Sequence, residues 1–388
     1  MRLIASISKT SSLCLLVLLP FLIPYEAGRN IDMQGLILLI AGGLAWLALL
    51  LEKQVHFKKL PTIFIGVFLL ACILSTLANP HVGYDLLGGP LVRLGTLAFI
   101  ALPGCALLIT QTRLATLIRY LYVEILVIGT VSFLYNLYEF HTLTRIGGVF
   151  AQADVLACVI GCGIILGLQV LLHTRHARLV IVGQLFLAIL LALTGTRAVM
   201  AIVFLLIVMW ALQARNWRLS LLGLIVVLLT IGGFHQFAAA RSTDVHDATG
   251  SISYRTDLWS AGITAATHKP LLGYGSGNLA DALDCRTLHA PALHDTCRKH
   301  YFFNSSHNIF LDRVMAVGWV GGLAFLSFVL FALHQGFRQP ERRIMALTAL
   351  LISLYYLTNV TAISLELFYW VLLFACLRPT PQATHIDM

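Results

Sequence analysis

The sequence predicts an all-α polytopic membrane protein with about twelve transmembrane helices and one long outer loop. Of its 388 residues, 59% are hydrophobic and only 11% are charged, whereas a soluble protein carries about 25% charged residues. The mean hydropathy is +0.87, and the apolar runs are long enough to cross about 30 Å of hydrocarbon as helices. So few charges cannot form the solvated surface of a soluble protein of this length, and that class is excluded.

The apolar runs are continuous and rich in Leu, Ile and Val. This pattern favours helices over a β-barrel, because a helix satisfies its backbone hydrogen bonds within the segment. The first run follows Arg2 and Lys9, as a signal peptide would, but residues 23–28 make a poor cleavage site, so we interpret it as a span. The predicted spans are 8–24, 31–51, 60–78, 89–110, 114–138, 151–172, 179–195, 197–213, 218–237, 308–333, 343–359 and 361–377.

The connections between these spans separate by charge. One alternate set contains most of the Lys and Arg residues, so the positive-inside rule places it, with both termini, in the cytoplasm. The same rule places the long polar segment 238–304 on the outer face, which in a Gram-negative cell is the periplasmic face of the inner membrane. The formal net charge of +9 is then a topology signal, and no nucleic acid partner is expected.

The chain divides into three predicted parts. Residues 1–237 form the first nine transmembrane helices, and residues 238–307 form the periplasmic loop with a surface helix. Residues 308–388 form the last three transmembrane helices and a short cytoplasmic tail. Surrounding membrane lipids are therefore the first expected partners.

Two of the eight cysteines, Cys285 and Cys297, lie together in the outer loop, while the others lie in apolar runs. In an oxidising compartment these two can form a disulfide, which would constrain the short loop between them. The alternative is two unpaired thiols. Neither these cysteines nor the neighbouring histidines show a CxxC or HExxH spacing, so no metal site is predicted.

The outer loop contains a helical pattern after its first polar residues. Ser253 is suited to cap the helix, with Arg255 in its first turn, and the helix should stop before Pro270. A predicted apolar stripe would hold it on the membrane surface or on the helix bundle; the stripe is Leu258, Trp259, Gly262, Ile263 and Ala266. The glycine-rich segment 273–278 lacks the Lys-Ser/Thr of a phosphate-binding loop, so we interpret it as a tight turn.

Ionisable side chains at the outer edge of a membrane are costly and therefore indicate function. Arg197 stands in a short turn between two apolar spans, where the alternative is an interfacial arginine that extends to the water. Arg255 is either a functional cation or a solvated loop charge. Arginine forks suit phosphate oxygens, so converging arginines near a membrane suggest a lipid-linked phosphate ligand. The candidates are Arg93, Arg145, Arg197, Arg255, His307, Asp312 and Arg313.

His307 follows two serines and precedes Asn308 at the start of a span. One interpretation is that Ser305, Ser306 or Asn308 caps that helix and that His307 is only interfacial. The other is catalytic, because a neutral imidazole is the usual group that deprotonates a hydroxyl near pH 7. The residues alone leave both open.

The order of these features resembles the O-antigen ligase and polymerase superfamily of bacterial membrane glycosyltransferases. The resemblance covers about 130 residues, and the twelve-span frame covers the rest. The residues that carry it are 194–198, 254–259, 269–278 and 306–311, followed by Gly318 and the pair Gly321 and Gly322.

The resemblance implies a GT-C-like helical fold and glycan transfer from an undecaprenyl pyrophosphate carrier to an acceptor hydroxyl, without metal or cofactor. By analogy His307 is the general base, and Arg197 and Arg255 bind the pyrophosphate, with Arg93 and Arg145 as weaker candidates for the same anionic site. The three glycines are expected to allow close helix packing.

Members of the superfamily differ in their acceptor. One long outer loop and a short tail favour the ligase that joins O-antigen to lipid A-core, with the polymerase and the protein O-oligosaccharyltransferase as alternatives. A lipid or polysaccharide transporter is a further alternative of another class, but such proteins tend to show internal repeats and ionisable groups near the midplane. Here the candidate charges lie at the outer edge.

Overall fold

The computed structural model describes residues 29–52, 59–88, 94–140, 146–150, 152–214, 247–283, 305–360 and 362–378. Within these residues the regular elements are all helices, as predicted. The predicted spans 8–24 and 218–237, and the residues Arg93, Arg145, Cys285 and Cys297, lie outside the described part of the chain.

Thirteen α-helices are described, together with two short 3₁₀ turns. They are α1 (Arg29–Glu52), α2 (Lys59–Ala78), α3 (Val82–Leu87), α4 (Thr96–Ile109), α5 (Leu114–Phe140), α6 (Ala153–Leu172), α7 (Ala177–Thr194), α8 (Arg197–Ala214), α9 (Asp247–His268), α10 (Leu279–Ala282), α11 (Ile309–Arg338), α12 (Arg343–Tyr355) and α13 (Ile363–Leu377).

Ten of the predicted spans coincide with one of these helices. Six helices in the described residues, namely α1, α2, α5, α6, α7 and α11, are long and apolar enough to cross a membrane. The described apolar parts of α4, α8 and α13 are shorter. The prediction of a multi-pass helical membrane protein is confirmed, and the count of twelve spans stays a prediction.

The centre of the bundle is α13, because every one of its residues is buried. It packs against α4, α11 and α12. Trp370 lies within 5.4 Å of Phe328 and 5.9 Å of Phe325, measured between ring centroids. Aromatic packing of this kind fixes the relative positions of α13 and of α11, which begins at the candidate site.

Hydrogen bonds join the helix ends at one end of the bundle, called here the His307 end. The hydroxyl of Thr196, before α8, donates to Asp154 in the first turn of α6 at 2.8 Å. The backbone N–H of Ile309, at the start of α11, donates to the carbonyl of Tyr356 after α12 at 2.9 Å. Four helix ends are therefore held together around His307.

Basic side chains gather at the opposite end of the bundle. Arg378, after α13, donates to the carbonyl of Thr112, before α5, at 2.6 Å. Arg119 of α5 donates to the carbonyl of His173, after α6, at 3.5 Å. Connections that the charge pattern assigned to one face of the membrane therefore lie together, on the end away from His307.

The loop helix α9 is longer than the sequence predicted. It begins at Asp247, so Ser253 lies inside it instead of capping it, and Arg255 lies beyond the first turn. The apolar stripe is also rotated: Leu258, Ala261 and Gly262 are buried, whereas Ile263 is 52% exposed. The small residues allow α9 to pack closely on Val314 and Met315 of α11.

Candidate active site

A tight turn at residues 305–308 leads into α11 and carries His307. The side-chain oxygen of Asn308 accepts the backbone N–H groups of Phe310 at 3.1 Å and Leu311 at 3.2 Å. Asn308 is therefore the N-cap of α11, which satisfies orphan donors of the first turn. Of the three residues that the sequence offered as caps, Ser305, Ser306 and Asn308, the structure therefore identifies Asn308, and the role of His307 stays open at this point.

The backbone of His307 adopts a φ of 58°, and no other described residue except glycine has a positive φ. This left-handed conformation is energetically unfavourable for an L-residue with a bulky side chain, and it occurs at active sites where the surroundings enforce it. The hydroxyl oxygen of Ser305 accepts the His307 N–H at 3.0 Å. The conformation points to a functional role for His307.

The carboxylate of Asp312 holds the turn in this shape. One oxygen accepts the Ser305 hydroxyl at 2.6 Å. The other accepts both the backbone N–H and the hydroxyl of Ser306 at 2.7 Å. Asp312 is 4% exposed, so these charge-assisted bonds are shielded from water and fix the two residues that precede His307.

Two opposite charges act on the imidazole of His307. Partial burial lowers the pKa of His307, and the positive charge of Arg255 lowers it further, while the negative charge of Asp154 raises it. The net effect is a pKa below the ordinary value, so the imidazole is neutral near pH 7 and can accept a proton.

Arg255 reaches the site from α9, although its position on that helix differs from the prediction. It is half-buried, and its charge acts on both His307 and Tyr355. It lies beyond the first turn of α9, so the helix dipole, which disfavours a cation in the first turn, does not act against it. Its closeness to His307 agrees with the role that the resemblance implied.

Arg197 is the first residue of α8 and is exposed. The preceding helix ends at Gly195, whose φ of 67° is left-handed and allows the chain to reverse in two residues. The neighbouring Thr196 donates to Asp154. Arg197 therefore directly follows the residue that binds Asp154, at the same end of the bundle as His307.

Two residues of this site were missed by the sequence analysis. Asp154 connects the Thr196 turn with His307, and Tyr355 lies at the end of α12 where the charges of Asp154 and Arg255 both act on its hydroxyl. An acid in the first turn of an apolar helix was a signal for Asp154. Nothing in the sequence around Tyr355 distinguishes it from a packing residue.

The other two acidic or basic candidates of α11 are structural. Asp312 supports the turn, and Arg313 forms an ion pair with Glu366 of α13 at 2.9 Å. The guanidinium of Arg313 also lies 4.1 Å from the centre of the Phe99 ring. Arg313 therefore joins α11, α13 and α4, and its charge is neutralised inside the bundle.

The glycine-rich segment 273–278 forms tight turns, as predicted, and lies against a break in α11. Tyr274 donates its backbone N–H to the carbonyl of Met315 at 2.8 Å, and Gly275 donates to Ala316 at 2.9 Å. α11 is broken at Gly318, whose φ is 77°. A Cβ added at this position would lie 2.2 Å from the carbonyl oxygen of Leu271. Gly318 therefore lies against the loop residues Pro270 and Leu271 and not against another helix, which differs from the helix packing that was expected of it.

A buried carboxyl fastens the other side of this segment. Asp85 of α3 accepts the Gly277 N–H at 3.1 Å and the Asn278 side-chain amide at 3.0 Å. Burial raises the pKa of Asp85 to about 6, and the hydrogen bond from Gly277 opposes that rise. The segment that follows α9 is thus attached to both α3 and α11, which fixes the end of α9.

An apolar cavity of about 520 Å³ adjoins the site. It extends from Asn308, next to His307, along α11 to Leu333. Trp259 and Ile263 of α9 form part of its wall. Ile263 therefore faces the cavity and not the surface of α9 that packs on α11. The lining is almost wholly hydrocarbon, which suits an apolar chain.

Within the described ranges, no group of three or more His, Cys, Asp or Glu side chains is arranged to hold a metal ion. The predicted disulfide lies outside those ranges, and so do Arg93 and Arg145. The metal-independent reaction that the resemblance implied stays a prediction.

One family comparison covers the site. A sequence model of the family described as O-antigen ligase matches residues 182–326. No curated protein and no solved structure matches the chain. The matched residues run from α7 into α11 and include Arg197, Arg255 and His307. Residues 182–326 are thus similar to the O-antigen ligase family, and this match supports the resemblance of the sequence to the O-antigen ligase and polymerase superfamily.

Proposed function

We propose that the protein is an O-antigen ligase. It transfers a glycan from undecaprenyl pyrophosphate to a sugar hydroxyl of lipid A-core, on the periplasmic face of the inner membrane, without a metal. The observation that carries the proposal is His307, a base in an enforced left-handed turn with the cation of Arg255 acting on its imidazole. A base and a phosphate-binding cation in one site are what this transfer needs.

In the proposed reaction, His307 takes the proton of the acceptor hydroxyl while the hydroxyl oxygen bonds to the anomeric carbon of the donor glycan. The bond between that carbon and the pyrophosphate oxygen breaks, and its electron pair leaves with undecaprenyl pyrophosphate. Arg197 and Arg255 stabilise the negative charge that develops on the pyrophosphate. The proton on His307 is then released to solvent or to the departing phosphate.

Asp154 has a balancing role in this scheme. Its carboxylate partly offsets the effect of Arg255 on His307, so the imidazole keeps enough basicity to accept a proton. A base works best when its pKa lies near the working pH, and two opposed charges are a means of tuning it.

The apolar cavity supports a lipid-linked substrate. It starts beside Asn308 and continues along α11, a span by length and composition. A polyprenyl chain bound there would place its pyrophosphate at the level of His307. The membrane lipids that surround the protein share this hydrocarbon character, which supports delivery of the lipid-linked substrate from the bilayer.

The first experiment is a reaction with purified protein, undecaprenyl-pyrophosphate-linked glycan and lipid A-core, in the presence of EDTA. We expect a ladder of glycan attached to lipid A-core on a gel. Lengthening of the glycan on its carrier would instead identify the polymerase, and transfer to a protein acceptor would identify the protein O-oligosaccharyltransferase. No transfer to any acceptor would favour the transporter.

Variants connect this reaction with the site. His307→Ala and Arg197→Ala should abolish transfer, whereas His268→Ala and Arg178→Ala, matched changes at exposed positions, should leave it unchanged. All four proteins should accumulate in the membrane at normal levels. Normal transfer by His307→Ala would contradict the assignment of the general base.

A further inference from the structure

The hydroxyl of Tyr355 is a buried polar group without a use in the fold. Tyr355 is 1% exposed, and its hydroxyl has no hydrogen-bond partner within the described part of the chain. A buried hydroxyl that lacks a partner destabilises the fold, so it persists where another role requires it.

Tyr369 on the neighbouring helix provides the comparison. It is as deeply buried as Tyr355, but its hydroxyl lies 2.8 Å from the hydroxyl of Ser353. Two tyrosines of the same bundle thus differ in one respect: one is paired within the protein and the other is not.

The surroundings of the Tyr355 hydroxyl are those of the candidate site. Cys158, Asp154 and Arg255 all act electrostatically on it, the last two from the candidate site. The next residue, Tyr356, accepts the N–H of Ile309 and so joins the end of α12 to the start of α11, two residues after His307. Asp154, Arg255 and His307 are only half-buried, whereas the hydroxyl itself is enclosed, so a ligand that enters between them contacts the hydroxyl after side chains of the site move.

The chemistry of the missing partner follows from these neighbours. Asp154 already accepts the hydroxyl of Thr196, and Arg255, whose charge acts on the Tyr355 hydroxyl, is the cation that attracts an anion. An anionic oxygen held by Arg255 is a strong acceptor for a phenolic O–H, and such charge-assisted bonds are about twice as strong as neutral ones.

We infer that Tyr355 is a further substrate-binding residue, whose hydroxyl donates a hydrogen bond to a phosphate oxygen of the pyrophosphate that Arg255 binds. The inference rests on the proposed function for the identity of that anion. It assigns Tyr355 a contact that exists in the complex and is absent from the free protein.

The test compares Tyr355→Phe with Tyr369→Phe in the full chain, since each change removes one hydroxyl and keeps the ring. Binding of undecaprenyl pyrophosphate is measured in detergent, with inorganic pyrophosphate as the second probe. Tyr355→Phe should weaken binding of the lipid probe by about tenfold to a hundredfold and leave the melting temperature unchanged or raised. Tyr369→Phe should lower the melting temperature and keep the wild-type affinity.

Two results would overturn the inference. One is wild-type affinity in Tyr355→Phe; the other is a loss of thermal stability as large as in Tyr369→Phe, which would show that the hydroxyl has a partner inside the protein. The inorganic probe separates the sources of the phosphate: weakening of both probes places the contact on the phosphate, as inferred, whereas weakening of the lipid probe alone places it on the prenyl chain and contradicts the inference.

Arg255→Ala separates this result from the proposed function. If Arg255→Ala loses affinity and Tyr355→Phe does not, the inference fails and the proposed function stands. If the wild-type protein binds neither probe, the proposed function fails, and the inference fails with it.

Discussion

Asp312 accepts both the backbone N–H and the hydroxyl of Ser306 at 2.7 Å. Ser306 immediately precedes His307, whose left-handed backbone conformation is uncommon for a residue other than glycine. A buried carboxylate in the first turn of α11 therefore enforces the conformation of the residue that we propose as the general base. Loss of this support should affect catalysis before it affects the fold.

Asp312→Ala should lower kcat by about 10²-fold, because a displacement of about 1 Å of a catalytic group has an effect of that size. The KM for the donor should change much less, since the arginines remain in place. Asp312→Asn should retain part of the activity, because the amide oxygen can still accept the Ser306 N–H. Single-turnover rates with purified variants provide the measurement.

The matched control for Asp312→Ala is Asp281→Ala, which removes an exposed aspartate from α10. It should leave kcat unchanged. Equal kcat in Asp312→Ala and the wild-type protein would show that the turn keeps its shape without the carboxylate.

The pH profile should report the charges around His307. The neutral imidazole is the active form, so kcat/KM should fall on the acid side as His307 becomes protonated, with a midpoint below the ordinary histidine value of about 6.5. Asp154 raises the pKa of His307. Asp154→Asn removes that effect, so the acid limb should move to lower pH.

Initial rates across a range of pH values, for the wild-type protein and Asp154→Asn, test this direction. A shift of the acid limb towards higher pH, or no shift, would mean that Asp154 does not act on the catalytic base. Asp281→Asn changes a distant exposed carboxylate in the same way and should leave the profile unchanged.

The ion pair of Arg313 with Glu366 should contribute to stability in a way that depends on both partners. Glu366→Ala leaves a buried guanidinium without its partner, which destabilises a protein by about 3–5 kcal/mol. The melting temperature in detergent should therefore fall sharply. The double variant Arg313→Met with Glu366→Leu removes both charges and should recover most of the loss.

Glu341→Ala, at an exposed position at the other end of the bundle, should melt like the wild-type protein. If Glu366→Ala has the same melting temperature as Glu341→Ala, the ion pair contributes nothing to the packing of α11 on α13. If the double variant is no more stable than Glu366→Ala, the loss is one of packing volume and not of an uncompensated charge.

Gly277 should tolerate no side chain. A Cβ at Gly277 would lie 1.9 Å from the carbonyl oxygen of Tyr84, so Gly277→Ala forces the turn away from Asp85 at a cost of about 1–3 kcal/mol. The comparison is Gly66→Ala in α2, where nothing lies within 4 Å of the added Cβ. Gly66→Ala should be neutral or slightly stabilising.

Melting temperatures of the two alanine variants provide the test. Gly277 does not have a positive φ, so the expected loss is steric. Similar melting temperatures would show that the segment 273–278 can shift relative to α3 without cost, and the attachment of α9 through Asp85 would then be weaker than the geometry indicates.

The predicted spans agree with the structure where the sequence pattern that predicts them is local. A run of apolar residues identifies a membrane helix without knowledge of its neighbours, so α6 and α11 begin within two residues of their predicted starts. The predicted start of α9 was wrong because the polar residues before Ser253 have the composition of a loop. The predicted buried stripe also differs from the observed one, because packing against α11 determines which face of α9 is buried.

The sequence by itself determined that this is a helical membrane protein, and it determined three candidates, Arg197, Arg255 and His307, because charge within an apolar chain is conspicuous. Only the tertiary structure decided what surrounds them. Asp154 and Tyr355 come from helices far apart in the chain, and their relation to His307 depends on how α6, α12 and α11 pack. Hydropathy reports how apolar each residue is but not its neighbours in space, so the shape and electrostatics of the site depend on the packing of the bundle.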